Sequence, residues 1–215
     1  MTGEKKDAGA FSSWLASMLS ALLEQDGSEV PCGGCTACCS SSQFVHVGPD
    51  ETDTFAHIPR ELLFPAPRLP RGNVLMGYDS HGRCPMLVEN RCTIYEHRPR
   101  TCRVYDCRVF AASGTEVGYP GKNLIADQVS SWEFQFPSNL DRIEFEAVRS
   151  AAQYLADHQK ELGDLLPTTA ATHRSLLAIQ LHEMFLDRHR DNGAPGLVTP
   201  SLEAVRAKLQ ECAAR

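Results

Sequence analysis

The sequence predicts an α+β fold, mainly α, in which a small loop-rich, metal-bound cysteine lobe with short strands packs against a helical C-terminal half. Eight of the nine cysteines lie in the first half of the chain. That half is also rich in turn residues and has only short β-like runs. The second half carries long stretches of apolar residues at helical spacing. We therefore expect three parts, over residues 1–29, 30–110 and 111–215.

Length and charge limit the classes of function. With 215 residues, 42% of them hydrophobic, the chain is long enough for one core and a small additional lobe. Its formal net charge of -6 is unlike that of domains whose whole surface binds nucleic acid, which are strongly basic. We therefore expect no nucleic-acid partner, whereas a protein partner or a protein substrate remains open.

Residues 1–29 contain one predicted amphipathic helix. The apolar side chains between residues 8 and 23 follow helical spacing, with serines on the opposite face and no small-residue cleavage site. The run is too short and too rich in serine to span a bilayer. The sequence therefore predicts a cytoplasmic protein without a transmembrane segment, in which clustered thiols stay reduced and serve metal or redox chemistry.

Residues 30–110 form the predicted cysteine lobe. "FVHV" and "VLMGY" are typical of short strands, a helix is predicted over residues 49–58, and "FPAPRLPRGN" is predicted to be loop. Beyond them, only "MLV" and "CTIY" have room for strands. Such a segment buries little apolar surface, so we expect it to depend on bound metal for its order.

Residues 111–215 form the predicted helical region. Residues 112–137 are expected to be a long surface connection, and helical periodicity then covers residues 140–162 and 172–190. Thr199 and Pro200 provide a cap and a first helical position for a last helix that ends near Ala213.

The stretch "PCGGCTACCS" contains four of the eight clustered cysteines. Thiolates three residues apart can converge on one centre when small residues allow a tight bend, and Gly33 and Gly34 lie at that bend. Cys-x2-Cys-x2-Cys spacing occurs in iron–sulfur loops, whereas zinc ribbons more often use isolated Cys-x2-Cys pairs, so the spacing favours a four-iron cluster (4Fe-4S) over zinc. Adjacent side chains usually diverge, so Cys38 and Cys39 are not expected to reach one metal.

The remaining cysteines in the first half supply the other ligands. Eight thiolates would fit two four-thiolate sites, or one iron–sulfur cluster and one zinc. Six arginines and only three acids lie between Arg83 and Arg108, and guanidinium groups would offset the negative charge of such a centre. Arg98 and Arg103 are the arginines expected beside the cofactor. The predicted metal ligands are Cys32, Cys35, Cys38, Cys39, Cys84, Cys92, Cys102 and Cys107.

"CGGCTACC" followed by "CPMLVENRCTIYEHRPRTCRVYDC" resembles the bacterial CxxCxxCC cysteine-cluster family. The likeness covers about residues 30–108 and implies a domain that chelates zinc or iron. Flagellin lysine N-methylases look like larger relatives with the same cluster, which implies group transfer onto a protein side chain. Met86 stands where an aromatic residue is common in the family, and Asp106 where proline often precedes the last cysteine. Neither departure removes a ligand.

The histidines and the acidic segment that could also bind metal are expected to have ordinary structural roles. His46, His57, His81 and His97 are not needed as ligands, with His81 as the best reserve because it precedes Cys84 by three residues. The segment "HEMFLDRHRD" lacks the zinc-binding pattern His-Glu-x-x-His, so a solvated helix face is expected there.

The sequence leaves three classes of function open. A redox or group-transfer centre would need an exchangeable ligand position, so enzymatic activity stays undecided. A structural zinc would leave the helical half to bind a partner protein. A lobe that handles metal itself would bind it with moderate affinity. All three share metal binding by clustered cysteines.

Overall fold

The computed structural model describes residues 5–24, 27–28, 30–118, 123–166, 171–188 and 195–213. Helix makes up 49% of the structure and strand 14%, which confirms the predicted α+β class with a predominance of helix. The helices are α1 (Phe11–Glu24), α2 (Thr52–His57), α3 (Arg100–Arg103), α4 (Arg108–Ser113), α5 (Asn123–Ser131), α6 (Asn139–Asp157), α7 (Ala171–Leu181) and α8 (Leu202–Ala213).

The strands of the described residues are short and form four small sheets. They are β1 (Lys6–Ala10), β2 (Val45–Val47), β3 (Leu63–Pro65), β4 (Val74–Met76), β5 (Leu87–Val88), β6 (Arg91–Cys92), β7 (Trp132–Gln135), β8 (Leu186–Asp187) and β9 (Gly196–Leu197). β1 and β7 pair in parallel. The order β2-β4-β3 gives an antiparallel sheet, and β5 with β6 and β8 with β9 form antiparallel pairs.

The chain divides into two compact units. The first, which we call the cysteine unit, spans residues 20–106 and 119–128, and the second, the helical unit, spans residues 1–19, 107–118 and 129–215. The chain leaves the cysteine unit between Asp106 and Cys107, close to the boundary expected near residue 110. Seven of the eight predicted ligands therefore belong to the cysteine unit, and Cys107 to the helical unit.

The helical unit is built on an aromatic core and on α6. Phe11 is fully buried, and its ring lies 5.0 Å from that of Phe134 and 5.2 Å from that of Phe145. α6 begins with a capping box in which Ser138 and Asp141 satisfy each other's backbone N–H groups. Its buried face includes Val148 and Leu155, as the periodicity of residues 140–162 predicted.

The cysteine unit has a small core of its own. Six buried residues form it, namely Val45, Val47, Ile58, Met76, Met86 and Ile94. Three partly buried cysteines, Cys84, Cys92 and Cys102, pack against this core. The core is contributed by the β2-β4-β3 sheet, the end of α2 and the β5–β6 hairpin, so short-strand elements position the thiols.

Several predicted elements need correction. The surface connection expected over residues 112–137 is wrong, because α5 and β7 occupy much of it, and buried Trp132 and Phe134 alternate with exposed residues. β1 was not predicted, because its parallel partner β7 is remote in sequence. The helix predicted over residues 172–190 ends at Leu181, where a 3₁₀ turn, His182–Phe185, follows. The predicted loop "FPAPRLPRGN" begins inside the edge strand β3.

The predicted N-terminal helix is confirmed as α1, with Trp14, Leu15 and Met18 buried along one face. The expected strands at "FVHV" and "VLMGY" are confirmed as β2 and β4. Within the described part of the chain, none of the helices combines the length and the apolar character needed to cross a membrane.

Candidate metal centre

All nine cysteines lie in described residues, and none forms a disulfide. The first Cys-x2-Cys pair occupies a tight turn in which the N–H of Cys35 donates to the carbonyl oxygen of Cys32 at 3.0 Å. Gly33 has a φ of +56°, a conformation that side chains disfavour, so the bend predicted at this glycine is confirmed. A 3₁₀ turn, Cys38–Ser40, follows directly.

The adjacent cysteines converge instead of diverging. The Sγ atoms of Cys38 and Cys39 lie 3.9 Å apart. Two thiolates on one tetrahedral zinc, with Zn–S bonds of about 2.3 Å, are separated by roughly 3.8 Å. The expectation that these side chains point apart is therefore wrong. The hydrogen bond with Cys39, together with burial, raises the pKa of the Cys38 thiol.

Cys84 is joined to the first cysteine group through the backbone. Its N–H donates to the carbonyl oxygen of Cys39 at 2.7 Å. Two residues earlier, the carbonyl oxygen of Gly82 accepts a hydrogen bond from Ser42. Gly82 is required there, since its φ is +75° and an added Cβ would lie 2.4 Å from the Ser42 hydroxyl. Two backbone hydrogen bonds thus join the segment that carries Cys39 to the segment that carries Cys84.

The hairpin of β5 and β6 places Cys92 close to Cys84. The carbonyl oxygen of Cys84 accepts from the N–H of Leu87, and Leu87 pairs with Cys92 across the hairpin. Glu89 and Asn90 form the turn with positive φ angles, as tight hairpins require. Burial raises the pKa of the Cys84 thiol, and hydrogen bonds from the backbone of Met86 and Leu87 oppose that shift.

Cys102 on α3 completes the group. Burial, followed by the negative charges of Cys38, Cys84 and Cys92, raises the pKa of Cys102 to about 12. The negative charges of Cys92 and Cys38 likewise contribute to the raised pKa of Cys84. The structure packs Cys84, Cys92 and Cys102 against one small core and joins Cys84 through the backbone to Cys39, the neighbour of Cys38. We call these residues the five-thiol group, Cys38, Cys39, Cys84, Cys92 and Cys102.

The three other predicted ligands have different surroundings. Cys32 and Cys35 are partly exposed in the turn that precedes the five-thiol group. Cys107 is buried at the start of α4 in the helical unit, where its Sγ accepts a hydrogen bond of 3.2 Å from the indole N–H of Trp132. The assignment of all eight cysteines as ligands stays a prediction.

The sulfur spacing bears on the kind of centre. Among the described residues, two groups of three His, Cys, Asp or Glu side chains have donor atoms that all lie within 4.8 Å of one another, and neither contains a cysteine. A single tetrahedral zinc draws four sulfurs to about 3.8 Å from one another. A four-iron cluster binds each thiolate to a different iron and so holds the sulfurs farther apart. The donor set fits either centre.

Arg98 and Arg103 lie beside the five-thiol group in different ways. The Arg98 guanidinium stacks on the Tyr95 ring at 3.6 Å and donates through Nε to the Tyr95 carbonyl oxygen at 2.7 Å. Its positive charge opposes the rise in the pKa of Cys102. Arg103 donates through Nη1 to the carbonyl oxygen of Arg98 at 3.2 Å and so supports that position. Arg98 is therefore the arginine that acts directly on a thiol.

Two histidines of the cysteine unit join an aspartate. His97 Nδ1 lies 2.7 Å from Asp53 Oδ2, and the His57 ring stacks on the His97 ring at 3.5 Å with an angle of 4° between the planes. Nitrogen lone pairs lie in the ring planes, so two parallel rings cannot both aim at one ion. The hydrogen bond from His97 is the main cause that lowers the pKa of Asp53. The group thus attaches α2 to the Tyr95–His97 turn. His81, the reserve ligand, donates its backbone N–H to Asp79 at 2.9 Å.

Several hydrogen bonds connect the start of α2 with the segment from His97 to Arg100. Buried Glu51 accepts hydrogen bonds from the N–H groups of Gly48 and Arg100, at 2.8 and 2.5 Å. The Thr54 hydroxyl donates to the carbonyl oxygen of His97 at 3.0 Å. These bonds hold the start of α3, and with it Cys102, in place. No charge pattern in the sequence pointed to Glu51 as the buried acceptor.

Comparison with known families identifies the segment. Residues 31–118 match the model of the CxxCxxCC family, described as "Putative zinc- or iron-chelating domain". The resemblance inferred from the sequence is confirmed over this segment, which contains all eight clustered cysteines. Searches of curated proteins and of solved structures gave no match. The likeness to flagellin lysine N-methylases therefore stays a prediction.

Proposed function

We propose that residues 31–118 bind one four-iron iron–sulfur cluster through Cys38, Cys84, Cys92 and Cys102. The observation that carries this proposal is that Cys84, Cys92 and Cys102, from separate parts of the sequence, pack against one small core, while a backbone hydrogen bond joins Cys84 to the turn that holds Cys38. Support also comes from the apolar core beneath Cys84, Cys92 and Cys102, which would limit the access of water to a cluster.

The surroundings of the thiols suit ligands that must lose their protons. Backbone hydrogen bonds from Met86 and Leu87 to Cys84 would stabilise its thiolate. The charge of Arg98 does the same for Cys102. A bound cluster would supply one-electron redox chemistry, while these residues would hold the thiolates and tune their charge.

The remaining cysteines would take secondary roles. We propose that Cys32, Cys35 and Cys39 either contribute to a second metal site or exchange with the first. Cys32 and Cys35 are partly exposed, which would let a substrate or a second ion approach. A redox role or group transfer onto a protein side chain rests on this exchange. If all four positions of the centre are permanently filled, this activity is not expected.

A structural zinc is the second candidate. The 3.9 Å separation of the Cys38 and Cys39 sulfurs favours it, because this is close to the spacing of two thiolates on one zinc. In that case the metal would stabilise the cysteine unit, and the helical unit would supply the surface that binds a partner protein.

Metal, iron and acid-labile sulfide analysis of protein purified without oxygen decides between these candidates. Iron and sulfide in near-equal amounts, with broad absorbance at about 400 nm, is the result expected for a cluster. About one or two equivalents of zinc in a colourless protein would refute the cluster proposal and support the structural zinc. Protein without either metal, although folded, would refute both.

A further inference from the structure

The segment that follows α7 contains a buried histidine that sequence analysis had placed on a solvated face. His182 is 2% exposed and begins the His182–Phe185 3₁₀ turn. The expectation of a solvated helix is therefore wrong for this residue, because the helix ends at Leu181 and the turn directs the ring inward. His189, from the same sequence motif, lies outside the described residues.

A backbone hydrogen bond sets the tautomer of the His182 ring. Its Nδ1 lies 2.7 Å from the carbonyl oxygen of Ile179, and a carbonyl can only accept, so Nδ1 carries a proton. In the neutral ring the lone pair is then on Nε2. That atom lies 3.4 Å from Glu183 Oε1. A lone pair that faces a carboxylate oxygen calls for a positive charge between them, either a proton or a metal ion.

A second carboxylate belongs to the same group. Glu144 comes from α6 and is buried, and donor atoms of Glu144, His182 and Glu183 all lie within 4.8 Å of one another. The 3.4 Å between nitrogen and oxygen is close to the separation of two ligands that each lie about 2.1 Å from a tetrahedral ion, roughly 3.4 Å. Metal-bound histidines commonly donate their other ring N–H to a backbone carbonyl, as His182 does.

Arg188 occupies the open side of this group. Its guanidinium donates to both carboxylate oxygens of Glu183, at 3.0 and 2.7 Å, and lies 3.5 Å from Glu144 Oε1. The Arg188 side chain is 43% exposed, so it can move toward solvent, whereas the Glu144 side chain is only 10% exposed. The guanidinium therefore stands where a cation would approach the carboxylates.

We propose that Glu144, His182 and Glu183 bind a divalent transition-metal ion, and that Arg188 neutralises the two carboxylates when the ion is absent. One imidazole and two carboxylates suit ions such as Mn²⁺, which clustered thiolates bind poorly. This site lies wholly in the helical unit and shares no residue with the cysteines of residues 31–118. If the cluster proposal fails, the proposal for this second metal site still stands. If the second site is refuted, the cluster proposal still stands.

Manganese titration of the full-length protein tests the proposal, with the thiolate metal retained as purified and free Mn²⁺ followed by electron paramagnetic resonance. We expect one bound equivalent. Glu183→Gln should weaken binding at least about tenfold, as loss of a ligand does. Glu183 is mostly exposed, so this variant should fold, which circular dichroism checks. Glu203→Gln, an exposed glutamate on α8, is the matched control and should bind as the wild type does.

Arg188→Ala gives an independent test, because the proposal and a purely structural ion pair predict opposite results. If the guanidinium competes with the ion, its removal tightens Mn²⁺ binding severalfold. If the carboxylates serve only to pair with Arg188 and with a protonated His182, the variant gains no affinity. Absence of bound Mn²⁺ in the wild type, wild-type affinity in Glu183→Gln, or no gain in Arg188→Ala would each overturn the proposal.

Discussion

The backbone N–H of Cys84 donates a hydrogen bond of 2.7 Å to the carbonyl oxygen of Cys39. This single bond joins the two separate parts of the cysteine pattern at a defined register. Because it uses backbone atoms, the thiol side chains of both residues stay available as ligands. The arrangement of the five-thiol group therefore depends on loop geometry, and substitutions at individual thiols test it without removing this backbone contact.

Replacement of Cys102 should remove the proposed centre. We expect Cys102→Ser to lose most of its bound metal and to melt at a lower temperature, because metal-binding free energy contributes directly to the folding of such lobes. Elemental analysis and thermal unfolding measure both effects. Cys212→Ser is the matched control, since Cys212 lies on α8 and does not belong to the five-thiol group. Equal metal content in the two variants would contradict the ligand assignment.

Loss of the arginines beside the thiols should weaken metal retention. In the double variant Arg98→Gln with Arg103→Gln, the charge that opposes the rise in the Cys102 pKa is gone. We expect the pKa of Cys102 to rise further and the pH at which metal is half bound to shift upward. A pH titration of metal occupancy measures this. Arg91→Gln, on the exposed part of the hairpin, should leave the curve unchanged.

Metal binding should release protons, and affinity should rise with pH. In the metal-free protein the pKa values of Cys38, Cys84 and Cys102 are all raised, that of Cys102 to about 12. These thiols are therefore protonated at neutral pH, whereas ligands must be thiolates. Each must lose its proton on binding, so affinity increases as pH rises toward those pKa values. Calorimetry in buffers of different ionisation enthalpy counts the protons, and release of none would exclude these three thiols.

The aromatic core of the helical unit should dominate its stability. Phe11 is fully buried among the rings of Trp14, Phe134 and Phe145. We expect Phe11→Ala to reduce the free energy of unfolding by about 3–5 kcal/mol, measured by denaturant titration. Leu140→Ala, a partly exposed position on α6, should cost less than about 1 kcal/mol. Similar losses of unfolding free energy in the two variants would contradict the central role of Phe11 in the core.

Local patterns predicted much of the fold. The spacing of apolar residues identified α1 and α6, the cap signal at Thr199 and Pro200 indicated α8, and short β-like runs identified β2 and β4. These elements depend on neighbours within a few residues. The bend at Gly33 was also predictable, since the turn needs a residue that tolerates positive φ. β7 carried a usable signal as well, in the alternation of "WEFQ", but no local pattern indicates its partner β1.

The sequence by itself determined the order and spacing of the cysteines that are the candidate metal ligands. Cysteine spacing and the motif shared with the CxxCxxCC family depend only on the order of residues, and the family model matches residues 31–118. The convergence of Cys38 and Cys39 could not be derived in the same way, because it depends on the 3₁₀ turn and on side-chain rotation within it.

Tertiary structure alone decided which thiols meet and where His182 lies. Cys102 packs on the same core as Cys84 and Cys92, and hydrogen bonds from α3 to Glu51 and from Thr54 to His97 hold these distant segments together. His182 is buried because α7 ends one residue earlier and its turn packs beside α6. Such contacts join residues far apart in the chain, and their formation depends on the packing of whole elements, which no short window of sequence encodes.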